Sequence, residues 1–76
     1  MPKRYTFKEV DKVLMAKGFT QVSQVGSHIK FRKIGTPTLT AIVPKKRKAI
    51  PIGTFRSILR QAHMALSDFE RQLKQI

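Results

Sequence analysis

The chain has 76 residues, no cysteine, 16 Lys and Arg against four Asp and Glu, and a formal net charge of +12. That length makes one domain, residues 1–76, burying only about 60 % of its unfolded surface, and without cysteine a disulfide framework or thiolate metal site is excluded. Solubility needs a net charge of only about 2 to 8, so the excess favours a nucleic-acid partner over an acidic protein or a membrane surface.

The first helix has a clear start. Thr6 and Glu9 form a Thr-x-x-Glu capping box, and Tyr5 is placed to staple onto Val10. Phe7, Val10, Val13 and Leu14 recur at helical spacing as one apolar stripe, and Gly18 stops the helix. Phe19 to Val25 reads as a first strand, joined by a hairpin through Val25-Gly26-Ser27 to a second strand running from about Ser27 to Lys33. In the second strand Ile29 and Phe31 point one way, and His28, Lys30 and Arg32 point the other.

Gly35-Thr36-Pro37 marks a turn before a third strand, Thr38 to Val43, with Leu39, Ala41 and Val43 on one face and Thr40 and Ile42 on the other. Pro44 ends it. Lys45, Lys46, Arg47 and Lys48 follow, and four adjacent cations belong in a solvated loop. Thr54, or Gly53 before it, opens the second long helix, whose apolar face is Phe55, Ile58, Leu59 and Ala62. A second capping box, Ser67 with Glu70, starts a short last helix carrying Phe69, Leu73 and Ile76.

The predicted fold class is α+β. It is a two-layer sandwich of a three-stranded antiparallel sheet with helices on one face, in the order α-β-β-β-α, plus a short C-terminal helix. That order matches double-stranded-RNA-binding-like folds, which read RNA by shape, 2′-hydroxyls and phosphates. No apolar run reaches the about 18 residues of a membrane span, and the N-terminus lacks a signal peptide's apolar stretch. A cytoplasmic protein with no membrane partner is expected.

The chain resembles the HicA toxins, also called YcfA-like mRNA interferases. The resemblance rests on Lys17-Gly18-Phe19 closing the first helix, Gly26-Ser27-His28-x-x-Phe31, Val43-Pro44, and Gly53-Thr54-Phe55-Arg56-Ser57-Ile58-Leu59-Arg60-Gln61-Ala62. It implies a toxin that cleaves mRNA independently of translation, a cognate HicB-type antitoxin, and a catalytic histidine at His28. Two positions depart from the family's pattern. Lys46 stands where many members have a second histidine, and His63 stands where a glycine commonly follows the second helix.

A lone histidine is more often an ordinary surface residue than a catalytic one. Here the glycine turn, the alignment with Lys30 and Arg32, and the resemblance favour catalysis at His28. RNA carries its own nucleophile, the 2′-OH. An imidazole can take that proton, or as imidazolium protonate the leaving 5′-oxygen. Lys30 and Arg32 are candidates to stabilise the phosphorane charge, and Lys45, Lys46, Arg47 and Lys48 to clamp phosphates. With one histidine, water, Lys46 and the RNA itself are the candidates for the second proton transfer. The chemistry calls for no metal and no cofactor. His63, near a helix end, reads as structural. The expected function is a type II toxin acting as a metal-independent endoribonuclease on single-stranded mRNA; the alternative is a non-catalytic RNA-binding module.

Overall fold

In the computed structural model, residues 3–76 are described. Six elements follow one another: α1 (Phe7–Ala16), β1 (Thr20–Val25), β2 (His28–Lys33), β3 (Leu39–Pro44), α2 (Ile52–Gln61) and α3 (Leu66–Gln75). The strands form one antiparallel sheet in the order β1-β2-β3. The architecture is the expected α+β arrangement.

Helix α1 is capped at both ends by its own sequence. The Glu9 N–H donates to Thr6 Oγ1 at 3.3 Å and the Thr6 N–H donates to Glu9 Oε1 at 2.9 Å, closing the capping box; a side-chain cap of this kind is worth about 1 kcal/mol. At the other end Gly18 takes φ +97°, the Phe19 N–H reaches back to the Leu14 carbonyl at 2.9 Å, and the Gly18 N–H to that of Met15 at 3.1 Å. This pair of bonds is a Schellman stop, in which a left-handed residue lets the last carbonyls find donors. Phe19 is therefore drawn into the core rather than opening β1, which begins at Thr20.

One apolar cluster holds the layers together. Val10, Val13 and Leu14 of α1 meet Ile29 and Phe31 of β2, Ala41 and Val43 of β3, and Phe55, Ile58, Leu59 and Ala62 at α2. Tyr5 is buried too. Its ring lies 5.0 Å from Phe55 and 4.8 Å from Phe69, and those two are 4.9 Å apart. Tyr5 shares the core cluster with Val10 and also joins a three-ring cluster, in which each edge-to-face pair adds about 0.5–1.5 kcal/mol beyond burial. The Tyr5 hydroxyl donates to Glu70 Oε2 at 2.9 Å, and burial first, then this bond, pushes its pKa up to about 12.

Two helix starts differ from expectation. Helix α2 opens at Ile52, with Pro51 at the cap position and its carbonyl accepting from the Phe55 N–H at 2.9 Å. Proline's fixed φ suits a helix entry, so neither Gly53 nor Thr54 is needed as a cap. Helix α3 opens at Leu66 and runs ten residues, as long as α1 and α2. The Ser67–Glu70 box does not form: Asp68 accepts from the Ala65 N–H at 3.3 Å, and Glu70 is committed to Tyr5. Between α2 and α3, His63 adopts φ +53°. Its N–H bonds the Arg60 carbonyl at 3.1 Å and the Met64 N–H bonds that of Leu59 at 2.9 Å, a second Schellman stop with histidine in the position that favours glycine.

The sheet is covered on one face only. Ile29, Phe31, Ala41 and Val43 face the helices, whereas β1 contributes no buried residue and carries an irregularity in register between Gln21 and Ser23. The outer edge of β3 is closed by a side chain: the Ile42 N–H donates to Gln61 Oε1 of α2 at 2.9 Å. An occupied donor there blunts an edge that would otherwise template a foreign strand.

Candidate active site

His28 is placed by the hairpin that precedes it. Val25 pairs with His28 across a two-residue loop, Gly26-Ser27, with Gly26 at φ +59° and Ser27 outside the left-handed region. A first loop residue at positive φ followed by one at negative φ is the type II′ pattern, whose twist matches that of the flanking strands. The turn fixes which way the first residue of β2 points. On its other side His28 pairs with Pro44 of β3, so the imidazole stands at the end of the central strand.

Alternation then decides its company. His28, Lys30 and Arg32 share the uncovered face, with Thr40 and Ile42 opposite them on β3 and Thr20, Ser23 and Val25 on β1. His28 and Arg32 are exposed and Lys30 is half-buried. The sequence reading of β2 as a two-faced strand matches the observed burial, and its histidine is exposed on the same face as Lys30 and Arg32.

The basic loop starts from the same end of the sheet. Pro44 is opposite His28, and the next residue, Lys45, donates its backbone N–H to the Ser27 carbonyl. Lys45, Lys46, Arg47 and Lys48 are all exposed. Lys45, Lys46 and Arg47 turn toward the first turn of α1, where they line a groove of about 710 Å³ with Thr6, Phe7, Lys8, Asp11 and Gln24. Lys48 is not part of that lining. The structure thus places Lys30 and Arg32 along the open sheet face, Arg32 toward the end of β2 away from the turn, and Lys45, Lys46 and Arg47 over α1, with Lys48 in neither group. Arg56 and Arg60 are exposed on α2, in the helical layer.

The carboxylates are elsewhere and occupied. Glu9 closes the α1 cap, Asp11 accepts from Gln21 Nε2 at 3.0 Å, Asp68 serves Ala65 and lies 3.7 Å from Arg71, and Glu70 holds Tyr5. All four belong to α1 or α3, and none stands on the open face of the sheet. The field over His28, Lys30 and Arg32 is therefore uncompensated by the chain itself, which suits a site for a polyanion. Among the described residues no group of three or more His, Cys, Asp or Glu is gathered as a metal site, and no helix is long and apolar enough to cross a membrane.

Sequence reasoning passed over the groove. Phe7, in the apolar stripe of α1, packs against the core yet stays half-buried, with Lys45 Nζ 5.9 Å from its ring centre. The available signal was its place at the first helical position, where a side chain projects past the end of the core stripe.

Comparison with known proteins bears on the chain as a whole. Residues 7–64 match the model of a family described as the HicA toxin of bacterial toxin-antitoxin systems. No match is found among curated proteins. The family match spans α1 through the turn after α2, including Gly26, His28, the basic loop and Gln61, and leaves α3 outside. A match over most of the chain fixes the assignment, and with it a toxin's role and a cognate antitoxin as partner: this protein belongs to the HicA toxin family.

Proposed function

We propose that the protein is an endoribonuclease that cleaves single-stranded mRNA in the cytoplasm, that His28 is its catalytic residue, and that a HicB-type antitoxin neutralises it. The observation that carries this reading is an exposed imidazole aligned with Lys30 and Arg32 on a sheet face free of carboxylates, in a chain of the HicA family. The 2′-oxygen attacks the adjacent phosphorus as His28 takes its proton. An O2′–P bond forms, the P–O5′ bond breaks, and the leaving 5′-oxygen receives a proton from water, Lys46 or the RNA. The products are a 2′,3′-cyclic phosphate and a 5′-hydroxyl. Lys30 and Arg32 stabilise the charge that accumulates on the phosphorane oxygens, while Lys45, Lys46, Arg47 and Lys48 hold flanking phosphates. The RNA brings the nucleophile, so neither metal nor cofactor enters the scheme.

Induced expression of the parent and of His28→Ala in a bacterium tests this reading. The parent arrests growth and depletes transcripts, and His28→Ala does neither at equal protein level. A second reading, a non-catalytic RNA-binding module, is favoured by Lys46 standing where a second histidine is common in the family. It predicts that both proteins arrest growth equally while transcripts persist.

A further inference from the structure

We propose that the groove between the first turn of α1 and the basic loop is a subsite for one nucleotide of the RNA strand flanking the cleaved bond, its base stacked on Phe7 and its phosphate held by Lys45, Lys46 and Arg47. The inference rests on the endoribonuclease reading and adds a recognition surface to it.

Four observations carry it. The groove, at about 710 Å³, falls within the about 300–1,000 Å³ range of small-ligand sites. Its aromatic floor is accessible: Phe7 is half-buried, tilted against Phe31 at 6.3 Å, and faces the groove with an ammonium 5.9 Å from its ring centre. A ring that offers a face to a cation offers the same face to a base. The polar lining is mixed rather than uniformly basic. Lys8 and Asp11 of α1 line it together, and Asp11 and Gln24 each have an oxygen with no hydrogen bond among the described residues, Oδ2 and Oε1, suited to the N–H groups of a base edge. Lys45, Lys46 and Arg47 of the loop complete the lining. A ring, two acceptors and a cluster of cations are the complement of a nucleotide, not of a bare phosphate.

The groove is also in register with His28. Gln24 Nε2 donates to the Gly26 carbonyl at 2.9 Å, and the Lys45 N–H donates to the Ser27 carbonyl. Two groove residues therefore grip the two-residue turn whose next residue is His28. A single strand crossing the open face past Arg32, Lys30 and His28 meets the groove by passing over this turn. Phe7 contributes binding by stacking in this account and takes no part in the chemistry.

The test is binding of the full chain to a fluorescent, non-cleavable 2′-O-methyl RNA decamer, alongside an acidic peptide of equal charge, with Phe7→Leu and Phe7→Tyr compared with the parent. Leucine preserves apolar contact with Phe31 but removes the stacking face, so RNA affinity falls about fivefold or more, and tyrosine restores it. Lys46→Ala lowers the salt slope of binding by about one. If Phe7→Leu binds the decamer as the parent does while Lys30→Ala and Arg32→Ala weaken it, the groove is not a subsite and the nuclease reading stands. If the parent binds no RNA at all, both readings fall. Loss of peptide affinity in Phe7→Leu with RNA affinity unchanged overturns the proposal and makes the groove a protein-docking surface.

Discussion

The Lys45 N–H donates to the Ser27 carbonyl, and this one bond ties the basic loop to the turn that presents His28. Both partners are backbone groups, so the link depends on the turn's geometry rather than on either side chain. The cations of the loop and the imidazole of β2 share an end of the sheet because Pro44 pairs with His28 and the chain leaves the sheet there.

That dependence makes Gly26 the first point to test. A Cβ there would meet nothing within 4 Å, so any cost of substitution comes from φ +59° alone. Gly26→Val, β-branched at a left-handed position, is expected to lose about 1–2 kcal/mol in urea denaturation. Gly26→Asn loses less, because asparagine tolerates this region. Cleavage of RNA by Gly26→Val should fall further than stability explains, since the turn aims His28.

His63 offers the opposite sign. It occupies the left-handed C′ position of α2 at φ +53°, held there by the bonds of His63 to Arg60 and Met64 to Leu59. The strain on a non-glycine residue, about 1–2 kcal/mol, exceeds the chain-entropy cost of glycine, about 0.5–1 kcal/mol. His63→Gly is therefore expected to raise stability by about 0.5–1 kcal/mol and leave RNA cleavage unchanged. A loss of stability in thermal or urea unfolding would show that the imidazole makes a contribution beyond its backbone.

Helix α3 lies outside the family match, yet Phe69 is buried against Tyr5 and Phe55. Phe69→Ala is expected to cost about 3–5 kcal/mol, the usual loss for emptying a buried aromatic site. An effect below about 1 kcal/mol in urea unfolding would mean that α3 is a dispensable cover rather than part of the core.

Tyr5 gives a pH signature. Its pKa rises in the folded protein from the ordinary 10 to about 12, chiefly through burial and then through Glu70. A raised folded value stabilises the native state below pH 10 and loses that contribution as pH climbs from 10 through 12. The parent should lose stability between pH 9 and pH 12 more steeply than Tyr5→Phe, as read by urea denaturation at each pH; parallel curves would contradict the burial argument.

The parts of the fold that sequence made legible are those where one residue type answers one physical need. Thr6 with Glu9 marked the start of α1, Gly18 its end, and the alternation of Ile29 and Phe31 with His28, Lys30 and Arg32 divided β2 into a buried and an open face. What stayed illegible depended on partners distant in sequence. Glu70 reads locally as a cap for Ser67, but a buried hydroxyl 65 residues away claims it. Gln61 looks like an ordinary helix position until the free N–H of Ile42 arrives beside it. The groove at Phe7 needed three separate segments to meet, and no local pattern announces that.

Purified parent and His28→Ala, each incubated with single-stranded RNA in EDTA and followed by end-group analysis, test the central claim most directly. Our account predicts that the parent cuts under chelation and leaves 2′,3′-cyclic phosphate or 3′-phosphate with 5′-hydroxyl ends, and that His28→Ala, folded as shown by circular dichroism, is slower by about a hundredfold or more. Cleavage by His28→Ala at the parent's rate and purity would contradict it.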